Sequence, residues 1–250
     1  MADLSDTWPY PRWIAHRGAG KLAPENTLAA FRLGAQFGYR CFECDVKLSA
    51  DGVPFLLHDA TLERTTNGHG TAGDHSWSAL SQLDAGAWLG RSWTGEPLPT
   101  LAAVARWLQA NGHGLDLEIK PTPGQERETG RVVAEQVQHL WAGAAVKPLL
   151  TSFRPDALRA AQETAPELAR GLLVDELWPG WDEVARELAC VAVVTNHRIM
   201  DAALLATLRA NGWRALCYTV NEPADAGRLI ALGIDGLVTD AVDRFAPALA

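Results

Sequence analysis

The chain has 250 residues, of which 48% are hydrophobic, enough to bury a full core in one large domain or two small ones. Its net charge of -8 and pI near 5.3 exclude a broad positive field for nucleic-acid backbone, so an anionic ligand needs specific local cations. Four scattered cysteines give no disulfide framework, and neither a secretory leader nor a membrane-length apolar run is visible, so a cytoplasmic protein without stable membrane association is expected.

The first expected strand covers 13–17 and ends in His16 and Arg17; a helix over 27–38, with Asn26 as its N-cap, leads to a second strand over 41–48. A strand pattern at 53–58 follows after only four residues, too few for a parallel crossover, so it must fold back as an antiparallel hairpin. Residues from about 47 to 98 then read as an inserted subdomain rich in Gly, Thr, Ser and Trp, before a helix over 101–110 returns to the main fold.

From residue 114 onward apolar β-type runs alternate with amphipathic helical stretches. Strands are expected at 115–120, 148–153, 170–174, 191–196, 214–220 and 236–240, with helices at 128–141, 155–164, 201–211 and 223–232. Setting the hairpin aside leaves eight parallel strands, the number that closes a TIM (β/α)₈ barrel, here a single α/β domain over 1–250.

Alternation on a strand sends Glu43 and Asp45 to one face and Phe42 and Cys44 to the other; Glu118 and Lys120 repeat the spacing. All four lie near C-terminal strand ends, where barrel enzymes build their sites. Three carboxylates at one mouth repel one another unless a cation sits among them, which points to a hard divalent ion, Mg²⁺ or Ca²⁺, with Mn²⁺ as a third option. The alternative is a set of solvated strand-end charges in which Lys120 simply pairs with Glu118. His16 and His58 close two strands beside this group and are the side chains suited to proton exchange near neutral pH, while Arg17 and Lys120 carry the charge a phosphodiester needs. Cys41 and Cys44 match C-x-x-C, but their odd offset parts the two thiols, which argues against redox or zinc use.

The ordered set Ile14-Ala15-His16-Arg17-Gly18, Pro24-Glu25-Asn26-Thr27, Glu43-Cys44-Asp45, His58-Asp59, Arg64-Thr65-Thr66-Asn67-Gly68 and Glu118-Ile119-Lys120, closed by Gly236-Leu237-Val238-Thr239-Asp240, resembles the glycerophosphodiester phosphodiesterase family in its cytoplasmic bacterial form. The resemblance implies a TIM barrel of the phospholipase-C-like phosphodiesterase type, inserted after its second strand. It implies metal ligation by Glu43, Asp45 and Glu118, acid and base roles for His16 and His58, and phosphate contacts from Arg17 and Lys120. The implied substrate is a small glycerophosphodiester, cleaved to sn-glycerol 3-phosphate and an alcohol. One departure is visible: where the family has Trp-Thr-Val-Asn, this chain has Tyr218-Thr219-Val220-Asn221, which keeps an aromatic substrate wall but changes its size and hydrogen bonding. Two rival readings are a phospholipase-like barrel acting on lysophospholipid or inositol phosphodiesters, and a degenerate barrel that only binds phosphorylated ligands. The oligomeric state is left open by the sequence.

Overall fold

A computed structural model describes residues 8–245 and 247; the N-terminal stretch 1–7, part of the leader argument above, lies outside them. The elements run β1 (Trp13–Ala15), α1 (Leu28–Gln36), β2 (Cys41–Leu48), β3 (Pro54–Leu56), α2 (Trp77–Leu80) and α3 (Leu101–Ala110). They continue through β4 (Gly114–Ile119), α4 (Glu126–Leu140), β5 (Leu149–Ser152), α5 (Pro155–Thr164), β6 (Arg170–Val174), α6 (Trp181–Glu187), β7 (Ala192–Asn196), α7 (Ala202–Ala210), β8 (Arg214–Tyr218), α8 (Pro223–Leu232) and β9 (Gly236–Thr239). The strands order as β1-β9-β8-β7-β6-β5-β4-β2-β3, and the further β1–β2 pairing closes eight parallel strands into a barrel. Among the named strands β3 pairs with β2 alone, antiparallel, with Val46 opposite Leu56 and Leu48 opposite Pro54, and its other side meets only an isolated bridge from Phe55 to Thr100, so it hangs outside the closed ring as the short linker requires.

Side-chain parity sorts β2 into two layers. Phe42, Cys44 and Val46 point outward into the main core beneath the helices, where Phe42 meets Phe31 and Trp107 edge-on. Cys41 points inward, where Ile14, Leu149, Leu173, Val194, Leu216 and Val238 fill the barrel and Tyr10 plugs its base. The two thiols of the C-x-x-C pattern therefore sit in different hydrophobic clusters. A third cluster, built on Phe55, Leu57, Leu62, Ala72, Leu80, Ala85 and Leu98, gives the excursion after β3 a core of its own.

Two local expectations change. Thr27, not Asn26, caps α1, its hydroxyl accepting from the Ala30 N–H at 3.3 Å. Asn26 stands in the left-handed region with φ 59°, and its side chain is committed elsewhere: its amide donates to Asp45 Oδ2 at 2.8 Å and its carbonyl accepts from the Asp45 N–H at 3.0 Å. α6, with Gly180 before it, was not anticipated; seven residues are too few for a clear helical period.

Candidate active site

At the C-terminal mouth, β2 and β4 run in register, with Glu43 beside Asp116 and Asp45 beside Glu118. All four carboxylates face inward, and a ligand oxygen from each of Glu43, Asp45 and Glu118 lies within 4.8 Å of the others. These residues are only 6%, 1% and 8% exposed, so the alternative of solvated strand-end charges fails. Its other half holds: Lys120 Nζ lies 2.8 Å from Glu118 Oε1.

Burial, with repulsion from Asp45 and Glu118, drives Glu43 well above the usual carboxylate range. Burial and the charge of Asp45 push Glu118 to about 7. Asp45 goes the other way: burial would raise it, but Arg17, Lys120 and Asn26 hold it down as the anion of the group. Its Oδ1 is buried with no hydrogen-bond donor and has only the Lys120 ammonium at 3.5 Å. Three converging buried oxygens, one of them short of a partner, fit a hard divalent cation. Asp116, one step deeper, accepts from Thr151 Oγ1 at 2.7 Å and is pushed by burial to about 7.

β1 stops at Ala15, and the chain turns sharply through Arg17 (φ 50°) and Gly18 (φ 97°), which brings His16 and Arg17 to the same mouth in place of strict alternation. The Arg17 N–H donates to Glu43 Oε2 at 3.0 Å, and its guanidinium reaches Glu25 at 2.8 Å and Asp45 at 3.4 Å. His16 Nδ1 meets Asp240 Oδ1 at 2.6 Å, which leaves Nε2 turned toward Glu43, 3.7 Å away. His58 arrives on the return from β3; its Nδ1 meets Asp59 Oδ1 at 2.7 Å, and its carbonyl accepts from Lys47 Nζ at 3.1 Å. Burial, together with Arg17 and Lys120, lowers the His58 pKa against the opposing pull of Asp45 and Asp59. Both imidazoles are thus oriented by a carboxylate hydrogen-bonded at Nδ1, which leaves Nε2 as the ring nitrogen not held by it.

All eight residues singled out in the sequence converge in one place. His16, Arg17, Glu43, His58, Glu118, Lys120 and Tyr218 line a cavity of about 210 Å³, with Asp45 beneath them. Phe153, Leu173, Val194 and Val238 form its apolar wall, and Tyr218 packs edge-on to Phe153 at 5.7 Å.

Several supporting residues have no role assigned by the sequence. Arg64 donates twice to Asp59 and twice to Glu25, completing a chain Arg17–Glu25–Arg64–Asp59–His58 around the rim. Lys47 is buried and donates to the carbonyls of both His58 and Lys120, at 3.1 and 3.3 Å. Its parity with Glu43 and Asp45 was a usable signal. Asp240 and Asn221 sat in recognised motifs, but only the closed barrel shows that they buttress His16.

Comparison with known proteins places this arrangement. The sequence profile of the Glycerophosphoryl diester phosphodiesterase family matches residues 16–244. A glycerophosphodiester phosphodiesterase of Caldanaerobacter subterraneus subsp. tengcongensis is 32% identical over 91% of this chain and 93% of its own length. Among solved structures, a phosphodiesterase of Oleispira antarctica in complex with the product sn-glycerol-3-phosphate superposes with a TM-score of 0.90 and 35% identity, covering 96% of this chain and 97% of that one. A glycerophosphodiester phosphodiesterase from Agrobacterium tumefaciens gives a TM-score of 0.80 and 28% identity, covering 94% and 99%.

Proposed function

Because this chain belongs to the glycerophosphoryl diester phosphodiesterase family, we propose that it hydrolyses small glycerophosphodiesters such as glycerophosphocholine or glycerophosphoethanolamine to sn-glycerol 3-phosphate and the free alcohol. The observation that carries the reading is the buried trio Glu43, Asp45 and Glu118, flanked by two carboxylate-oriented histidines and two cations in one cavity. The trio would hold Mg²⁺, Ca²⁺ or Mn²⁺, and an ion there supplies compensation for negative charge building on the phosphate.

The chain's own residues do the rest. Arg17 and Lys120 bind and orient the phosphate, Arg17 through its planar fork and Lys120 as a compact charge. Of His16 and His58, one takes the proton of the attacking hydroxyl at Nε2 and the other protonates the departing alcohol oxygen. The attacking group is water or the glycerol 2-hydroxyl. Tyr218 and Phe153 form the apolar side against which the organic part of the substrate lies.

The same reading takes the chain as one catalytic domain, with 47–98 as a subdomain carried on β2. No helix among the described residues is long and apolar enough to cross a membrane. The four cysteines are free and buried, which favours a reducing compartment, and the cytoplasm is the proposed location. The deciding experiment is release of sn-glycerol 3-phosphate from glycerophosphocholine by the purified protein, with and without chelator. Turnover that stops on chelation and returns on adding a divalent ion supports the proposal; no release under any metal condition overturns it.

A further inference from the structure

Beyond the phosphate end, the cavity has an opposite side with its own charge. Lys120 Nζ lies 5.5 Å from the centroid of the Phe153 ring, and Phe153 stands edge-on to Tyr218. The Tyr218 hydroxyl donates to Asp175 Oδ1 at 3.2 Å, and Asn196 Nδ2 donates to the same oxygen at 2.9 Å. Lys120, Phe153, Tyr218 and Asp175 therefore follow one another across the mouth, cation at one end and anion at the other. Both donors to Asp175 are neutral, and among the described residues no Lys, Arg or His lies within ion-pair distance of it. Asp175 is itself exposed on the loop after β6, within reach of an arriving ligand.

We propose that the side of the cavity between Phe153 and Asp175 is the subsite for the leaving alcohol and selects an alcohol bearing an ammonium group. The inference rests on the phosphodiesterase reading above. A substrate with an anionic phosphate and a cationic head group matches a mouth whose charges are ordered in the same sense. A phenol that donates to a carboxylate is polarised toward its ring, which strengthens the attraction of the ring face for a cation. A polyhydroxylated alcohol gains less, because it needs matched donors and acceptors along its length. This wall offers the carbon surfaces of Phe153, Leu173 and Val194, and a hydroxyl already engaged with Asp175.

The test compares kcat/KM for glycerophosphocholine and glycerophosphoglycerol in the wild type and in Asp175→Asn, which keeps an oxygen for the Tyr218 hydroxyl and removes the charge. The wild type is expected to favour the choline ester by roughly tenfold, and the variant to lose most of that ratio. Equal preference in the wild type, or a ratio that survives the substitution, overturns the inference. A second arm needs no variant: choline should inhibit wild-type hydrolysis of glycerophosphoglycerol more strongly than its neutral isostere 3,3-dimethylbutan-1-ol, and equal inhibition by the two counts against an ammonium subsite. Release of sn-glycerol 3-phosphate from neither ester is a different result, since it removes the phosphodiesterase reading itself.

Discussion

His16 Nδ1 and Asp240 Oδ1 meet at 2.6 Å across the seam where the first and last barrel strands pair. Asn221 holds Asp240 in place, donating to Oδ2 at 3.1 Å and accepting the Asp240 N–H at 2.9 Å. Asp240→Asn is expected to lower kcat on glycerophosphocholine by about 10²-fold or more with little change in KM, because His16 loses the partner that fixes its tautomer. Burial pushes the Asp240 carboxyl up, but the hydrogen bond and charge of His16 prevail and bring it to about 2. With the folded value below the unfolded one near 4, its stabilisation is complete above about pH 4 and is lost as pH falls through about 2. Acid-unfolding curves of wild type and variant should converge at the low end of that window; curves offset by a constant amount at every pH would contradict this.

His58→Ala should reduce turnover by about 10²-fold or more while circular dichroism stays native. Because burial holds the imidazole below the ordinary histidine value, the limb of the kcat/KM profile that belongs to His58 lies on the acid side of that value and disappears in the variant. An unaltered profile would remove His58 from proton transfer.

Metal binding should release protons. Glu118, pushed to about 7 by burial and Asp45, and Glu43, held well above the usual carboxylate range by burial and the same neighbours, must both ionise before they can ligate. Affinity for Mg²⁺, Ca²⁺ or Mn²⁺ should therefore climb between about pH 5 and 8, and calorimetry in buffers of different ionisation enthalpy should register the protons released. The metal-free protein should behave inversely: the folded state keeps protons that the unfolded chain gives up near pH 4, so its stability falls as pH rises from about 4 to about 7. Binding with no proton release would mean that these carboxylates are not the ligands.

How far the site was legible depends on whether a residue's place follows from its own strand. Glu43, Asp45 and Glu118 were readable because parity on β2 and β4 fixes their face and parallel pairing fixes their height. The hairpin was readable because four residues cannot make a parallel crossover. Asp240, Asn221 and Arg64 were not assigned roles, since each acts on a side chain brought near only by barrel closure or by the return of the excursion. Asn26 was misassigned because an asparagine before a helix ordinarily caps it, whereas here both ends of its amide are held by Asp45.

Arg64→Met separates positioning from stability. The Arg64 side chain is 43% exposed, so screening limits its ion pairs with Asp59 and Glu25 to about 1 kcal/mol or less of stability. Its four hydrogen bonds nevertheless hold the partners of His58 and Arg17. We expect a fall in kcat of roughly tenfold from the freed Asp59–His58 pair and a rise in KM from the freed Glu25–Arg17 pair, with Arg64→Lys intermediate. Unchanged kinetics in a normally folded variant would show that His58 and Arg17 are positioned without the rim chain.

Gly20→Ala tests the same seam from the backbone. Gly20 adopts φ +56°, its N–H donates to the His16 carbonyl at 2.8 Å, and an added Cβ would lie 2.1 to 2.4 Å from the carbonyl oxygen, Cα and carbonyl carbon of Asp240. No flexible side chain stands between them, so the loop bearing His16 and Arg17 must separate from the end of β9, the two sides joined by the His16–Asp240 bond. Gly38 is the matched control, since its φ is also positive, at +91°, but an added Cβ there meets nothing within 4 Å. Gly38→Ala should cost about 1 kcal/mol of backbone strain and leave kcat intact. Gly20→Ala should cost about 1 to 3 kcal/mol and lower kcat by more than that loss of folded protein explains. Thermal unfolding of both variants beside their kcat, normalised to folded fraction, makes the comparison. If the two lose stability and activity alike, the approach of Gly20 to Asp240 has no part in aligning His16.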